Sequence, residues 1–567
     1  RFVRRSLGNA RVRLGYLARR ALGLPPRLLR SLRTRGLKGT LERARNSAGD
    51  VAALPTPELL AAPAAGSSFV AFALPRASAP RASIIIPVYN KWSYTEACLR
   101  SLAKETQRSG FEVIVVDDGS ADETAERLAQ IEGIVAHRNE RNLGFVGSCN
   151  AGAALAQGEY LVFLNNDTQV APNWLDALLD TFDRHPRVGL AGAKLVYPDG
   201  RLQEAGGIVF SDGSGWNYGR FGDPRDPAYN HVREVDYCSG AAIAIARALF
   251  AQLGGFDLRY APAYYEDTDL AFQVRAAGLR VLYQPASTVF HFEGITAGTD
   301  TASGIKQYQV LNQAKFVERW ADVLTRQPKP GTPIVLAREH RVAQRVLIVD
   351  ATTPHPDEDS GSVRMVNLMQ LLTALGHKVS FFAENRACDG RYSEALQQLG
   401  VEVHYHPWMP EPTRWLRDHG AHLDAVILSR HYVATPLVEA VRHHAPRARL
   451  VFDTVDLHYL REEREAALAD REDLRRQAAA TKLAELRLIR NSDVTLVVSP
   501  IEQQLLRGEV PGARIEVLSN VHEVVGRRAG FHERKDLCFV GGFQHQPNVD
   551  AMLWFVHAIW PQVAKAL

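Results

Sequence analysis

Cysteine is scarce in this chain, long apolar runs are missing, and strong net charge is absent. Each lack removes a class of protein. The five cysteines, Cys98, Cys149, Cys238, Cys388 and Cys538, are scattered and odd in number. They offer neither the close pairs of a zinc site nor the framework of a small secreted domain. A reducing cytoplasm is their natural setting. No stretch reaches the ~18 apolar residues that a membrane-spanning helix needs. The nearest, Val51 to Leu74, is broken by Pro55, Pro57 and Pro63. No secretion signal is recognisable. The formal charge is only +4 over 567 residues, and no nucleic-acid partner is called for.

What is present is the composition of an ordinary folded protein, 46% hydrophobic and 23% charged. The length exceeds one hydrophobic core and suggests two to four domains. The chain opens on arginine and stops inside a helical pattern, which leads us to expect a piece of a longer protein. Charge is unevenly placed. Residues 1–50 carry Arg4, Arg5, Arg11, Arg13, Arg19, Arg20, Arg27, Arg30, Arg33 and Arg35 against Glu42 and Asp50. Val3, Leu7, Leu14, Leu17 and Ala21 fall on the other side of the same helical pattern. Such an arm can lie on an anionic membrane surface, or pack as a basic segment on its own protein. Residues 51–80, rich in alanine and proline, read as a linker.

From Ala82 to about Trp320 strand and helix patterns alternate. Strands are expected to Val88, over Glu112 to Val116, over Ile134 to His137 and over Tyr160 to Leu164. A second α/β unit follows the proline-rich break at Gln327 to Pro333. Its strands are Arg345–Asp350, Lys378–Phe382, Ala425–Leu428, Leu450–Asp453 and Val494–Val498. A long charged helix is expected between about Tyr459 and Arg490, and Leu537 to Gly542 reads as the start of one more strand-loop-helix repeat.

Four strings in the first unit carry the chemistry: Ser83-Ile-Ile-Ile-Pro-Val-Tyr-Asn90, Val115-Val-Asp-Asp-Gly-Ser120, Leu164-Asn-Asn-Asp-Thr168 and Tyr265-Glu-Asp-Thr-Asp-Leu270. The first three pass from apolar to polar residues, as a buried parallel strand does where its carboxyl end opens into a loop. Ligands of open α/β sheets bind at those ends. Carboxylates gathered there are costly unless they hold a metal, a base or a ligand hydroxyl.

In order and spacing the strings resemble the inverting nucleotide-sugar glycosyltransferases of family two, over about Ala82 to Val317. The resemblance implies a GT-A domain, Rossmann-like in its first half. It also implies a nucleoside-diphosphate sugar, UDP- or dTDP-linked, as donor. The acceptor would be a growing surface glycan or a lipid-linked glycan. For donor binding it singles out Pro87, Tyr89, Asp117, Asp118, Asn142, Gly144, Asn165 and Asn166. Tyr89 would stack on the base, or simply be a half-buried aromatic at a strand end. Asp117 and Asp118 would hold base and ribose, with turn capping as the alternative for one of them. Asn165-Asn166-Asp167 stands where the family has Asp-x-Asp, so an amide replaces the first acid. Asp167 would bind Mn²⁺ or Mg²⁺ and His291 would add an imidazole, a ligand that suits manganese. Asp267 would be the general base, with Glu266 in support; capping of its helix is the plainer role.

The second unit resembles, more loosely, the first Rossmann-like half of family-four enzymes of GT-B fold. The matching residues are Val349-Asp350, Asp359-Ser360-Gly361, Asp453 to His458 and Leu518 to Val521. The expected division is a basic arm and linker over 1–80, a GT-A domain over 81–325 and a linker over 326–342. A GT-B-like domain over 343–530 and the start of its partner half over 531–567 complete it. Missing Gln-x-x-Arg-Trp spacing argues against a processive polymerase. The whole implies a cytoplasmic glycosyltransferase at the inner face of the cell membrane. The alternatives are a nucleotidyltransferase of related fold and a non-catalytic scaffold or glycan-binding component.

Overall fold

The computed structural model describes residues 59–60, 69–105, 107–293, 307–522, 526–527, 529–543 and 546–566. The expected basic helical arm over 1–50, most of the linker after it and Gly294 lie outside the described residues. Two sheets organise the rest. The first contains β1 (Ala82–Val88), β2 (Phe111–Asp117), β3 (Ile134–Arg138), β4 (Tyr160–Leu164), β5 (Thr168–Val170), β6 (Val188–Val196) and β7 (Leu202–Glu204). A separate hairpin, β8 (Gly207–Val209) and β9 (Gly215–Asn217), follows. Strands β10 (Arg233–Glu234), β11 (Ala242–Ala246) and β12 (Arg280–His291) complete the first sheet. Its order is β10-β12-β6-β11-β4-β1-β2-β3, with β5 beside β12 and β7 beside β6.

Alternation of side chains explains why β1 and β2 are apolar throughout. Ile85, Ile114 and Val116 enter the core on one face, beneath the helix Gly144–Leu155 through Val146 and Cys149. Ile84, Ile86, Val113 and Val115 enter the core on the other, against Leu99 and Leu178 of the helices Trp92–Lys104 and Trp174–Arg184. A strand covered on both faces has no polar side to show. Strands β1, β2, β3 and β4 are parallel, so their carboxyl ends share one edge. Strand β11 runs antiparallel to β4 and delivers its amino end there.

The second sheet is all-parallel: β13 (Arg345–Asp350), β14 (Lys378–Ala383), β15 (Glu402–His404), β16 (Ala425–Ser429), β17 (Arg449–Asp453), β18 (Val494–Val497) and β19 (Ile515–Val517). Its order, β15-β14-β13-β16-β17-β18-β19, is doubly wound about β13. The sheets meet at a polar joint. Gln284 and Gln398 exchange side-chain amide hydrogen bonds, and the Val232 N–H donates to the Gln397 carbonyl. Arg338 reaches buried Glu402, which also pairs with Lys378.

Two expectations are corrected. The long helix of residues 459–490 is a helical hairpin, His458–Ala469 and Glu472–Asn491, because Asp470 takes a left-handed conformation and reverses the chain. Leu537 to Val540 form no strand; the segment is exposed and pairs with no described strand, and an unpaired strand has nothing to satisfy its backbone. Among the described residues no helix is long and apolar enough to cross a membrane.

Candidate active site

Strand β12 ends at His291 directly opposite Thr168 of β5, which brings the histidine beside Asp167. The His291 Nε2 lies 3.2 Å from Asp167 Oδ1 and 3.4 Å from Asn165 Nδ2. On the far side of the ring Nδ1 lies 3.2 Å from Gln203 Oε1. That oxygen can only accept, so Nδ1 carries a hydrogen, which puts the lone pair of the neutral ring on Nε2. Burial disfavours the imidazolium, but Asp167 overrides it and raises the His291 pKa, so a proton and a cation would compete for Nε2. Gln203 in turn donates to Glu293, which also accepts from Tyr197 and Arg220.

A divalent cation fits this group. Asn165 Oδ1 is a buried acceptor with no hydrogen-bond partner among the described residues, next to a carboxylate oxygen and an imidazole nitrogen. One oxygen-rich side and one nitrogen suit Mn²⁺. Among the described residues no three His, Cys, Asp or Glu side chains cluster as a metal site, so a cation here would need the Asn165 amide as its third protein donor. Asn166 points elsewhere and donates to Thr95 Oγ1.

The acidic string begins at a strained corner. Tyr264 and Tyr265 both have positive φ, 75° and 71°, immediately before the helix Glu266–Ala276. Asn312, fully buried, holds that corner by donating to the Tyr260 and Ala263 carbonyls. Asp267 Oδ2 accepts the Gly240 N–H at 2.8 Å, and Oδ1 accepts the Thr268 N–H and hydroxyl. Burial raises the Asp267 pKa, and these three donors oppose the rise. Glu266 is also buried, and burial plus the neighbouring Asp267 push its carboxyl well above the usual range. Its Oε2 has no partner among the described residues. Asp269 serves the fold instead, since Tyr260, Gln273, Arg319 and Trp320 all donate to it.

Three consecutive residues ahead of β11 tie these parts together. The Ser239 N–H donates to Glu204, the Gly240 N–H to Asp267, and the Ala241 carbonyl accepts the Asn165 N–H. Sequence reasoning missed this strap, as it missed Gln203, Glu204 and Asn312. Small residues in Ser239-Gly-Ala-Ala242 are its only trace in the sequence.

The donor-side residues divide in two. Tyr89 is 42% exposed at the end of β1, beyond buried Pro87. Asp117 accepts the Ser120 N–H and pairs with Arg138. Asp118 uses one oxygen for Asn139 and the Leu143 N–H and the other for the Gly144 N–H. It therefore shapes the loop Asn139–Gly144, in which Asn142 also accepts the Gly144 N–H. Gly144 has φ +71°, and a Cβ there would lie 2.6 Å from Pro262 Cβ. Asn150 clamps Phe256 through both its backbone groups.

The sequence profile of glycosyl transferase family 2 matches residues 83–250. An uncharacterized protein of Sinorhizobium fredii is 33% identical over 235 residues, 40% of this chain and 26% of that protein. The O-antigen biosynthesis protein RfbC of Myxococcus xanthus is 32% identical over 232 residues, 39% of this chain and 18% of its own length. The chain thus spans about a quarter or less of these two relatives. The N-acetylglucosaminyl-diphospho-decaprenol L-rhamnosyltransferase of Mycobacterium tuberculosis is 30% identical over 245 residues, 39% of this chain and 78% of that enzyme. The matched profile falls within the unit built on the first sheet, and the relatives that carry a function in their names are glycan-biosynthesis proteins. The chain belongs to glycosyl transferase family 2.

Proposed function

We propose that the first unit is an inverting sugar transferase acting on a nucleoside-diphosphate donor, UDP- or dTDP-linked, with a growing surface glycan as acceptor. The observation that carries this reading is the strap Ser239–Ala241, which links the base Asp267 to the group Asn165, Asp167 and His291. Asp267 takes the proton of the acceptor hydroxyl as its oxygen attacks the anomeric carbon, and the nucleoside diphosphate leaves from the opposite side. Mn²⁺ or Mg²⁺, held by Asp167 and His291 with the Asn165 amide, would neutralise charge on the leaving diphosphate. The exposed Tyr89 ring offers a stacking face for the base beside Pro87 and Asp117. Asp118 acts through the loop it holds around Asn142 and Gly144. Burial and the Asp267 charge favour the protonated form of Glu266, which limits a second charge beside Asp267.

A surface-glycan acceptor is supported by the O-antigen and rhamnosyltransferase relatives. A place at the inner membrane face, beside a lipid-linked acceptor, is our reading of the basic segment 1–50. The doubly wound second sheet supports a second, GT-B-like unit. The test is product chemistry. A glycoside whose anomeric configuration is opposite to the donor's is expected, whereas retained configuration or a nucleotidylated product would overturn the mechanism.

A further inference from the structure

We propose that Glu204 is a ligand for a hydroxyl of the sugar being transferred, a positioning role that rests on the glycosyltransfer reading above. Glu204 ends β7 and is fully buried. Its Oε1 accepts the Ser239 N–H at 2.9 Å, while its buried Oε2 has no partner among the described residues. A buried carboxyl left half-satisfied costs stability unless a ligand completes it.

Its location says which ligand. Ser239 and Gly240 are consecutive, and their N–H groups hold Glu204 and Asp267 respectively, so one backbone segment anchors both carboxyls and each lies within the other's field. The preceding residue of the same strand, Gln203, holds His291. The charged groups that act on Glu204 are Asp267, His291 and Arg220. Glu204 therefore borders the space between the proposed base and the proposed diphosphate-binding group. In a single displacement that space holds the sugar whose anomeric carbon is attacked.

The two neighbouring carboxyls divide their roles by hydrogen bonding. Asp267 receives three donors and is the better-stabilised anion; Glu204 receives one. Burial, strengthened by the Asp267 charge, raises Glu204 to about 8, so at neutral pH it keeps a proton and can donate it to a sugar oxygen. It then guides the sugar without competing as a base.

Calorimetry separates the sugar contact from nucleotide binding. UDP, dTDP and GDP, and then UDP-glucose, UDP-N-acetylglucosamine, dTDP-rhamnose and GDP-mannose, are titrated with Mn²⁺ into the whole chain. Wild type, Glu204→Met and Glu204→Gln are compared. The Met variant keeps volume without hydrogen bonding; the Gln variant keeps both. Glu204→Met is expected to bind the nucleoside diphosphate as wild type does but to lose about tenfold or more of the added affinity from the sugar, with Glu204→Gln retaining most of it. A Met variant that keeps the full sugar increment would overturn the assignment and leave the site reading intact. Should Met instead lose nucleotide binding altogether, wild type titrated with monodeoxy forms of the donor decides. Tenfold weaker binding for one position supports the assignment, and equal binding for all overturns it. A wild type that binds no nucleoside diphosphate would overturn both readings.

Discussion

Replacing Asp267 by Asn separates catalysis from architecture at the centre of the site. Asp267 Oδ1 accepts two donors from Thr268 and Oδ2 accepts one from Gly240. An Asn side chain keeps its oxygen toward Thr268 and turns its NH₂ toward the Gly240 N–H, which then lacks an acceptor. One such unsatisfied group costs about 1–3 kcal/mol of stability, so the variant should fold with a lowered melting temperature. The rate should suffer far more. An amide cannot take the proton of the acceptor hydroxyl, and loss of a positioned base costs about 10²- to 10⁴-fold, or roughly 3–5 kcal/mol of barrier. Nucleotide affinity should be unchanged, because Asp267 does not hold the diphosphate. Glu266→Gln is the internal contrast. Burial and the neighbouring Asp267 favour the protonated form of Glu266, which an amide imitates, so turnover should fall less than about tenfold. The assay is nucleoside-diphosphate release at saturating donor and acceptor, with unfolding followed in parallel. A folded Asp267→Asn protein turning over within about tenfold of wild type would refute the assignment of the base.

Other outcomes follow from the same contacts. Glu402→Ala takes from buried Lys378 its one salt-bridge partner among the described residues and leaves Arg338 only Glu339, and should cost about 3–5 kcal/mol in urea unfolding. In the intact protein burial works against the Glu402 charge, but Arg338 and then Lys378 hold its carboxyl well below the ordinary 4.5. Its stabilising contribution is therefore complete above about pH 4.5 and is lost as pH falls through the lower folded value. Thermal unfolding from about pH 7 to 3 should show wild type losing more stability than Glu402→Gln. Gly144→Ala meets both a positive φ and Pro262, so it should weaken UDP or dTDP binding in calorimetry and lower stability by about 1–3 kcal/mol.

What could be read in advance was whatever a strand carries along its own length. The runs ending at Val88, Asp117 and Leu164 turn polar because the sheet edge begins there, and the structure places those ends side by side. Five strands of the second sheet were legible for the same reason, from Arg345–Asp350 onward, whereas the three-residue edge strands β15 and β19 are too short to show a pattern. Contacts between residues far apart in the chain leave no period. Asn312 on the Tyr260 corner, Gln203 on His291 and Glu204 on Ser239 belong to this kind. Asp118 shows the opposite limit: its position was legible, but its occupation by Asn139, Leu143 and Gly144 needed coordinates. The break at Asp470 was hidden because one left-handed residue suffices to end a helix otherwise rich in good helix formers.

Splitting of a sugar nucleotide at this site should need a cation at Asp167 and His291. The most direct test is release of nucleoside diphosphate from UDP-, dTDP- and GDP-sugars in Mn²⁺ and in EDTA, with Asp167→Ala alongside. Release is expected from one donor class, abolished by EDTA and restored by Mn²⁺, with a variant that stays folded but inactive in both. Turnover undiminished by EDTA, or equal in Asp167→Ala, would contradict it.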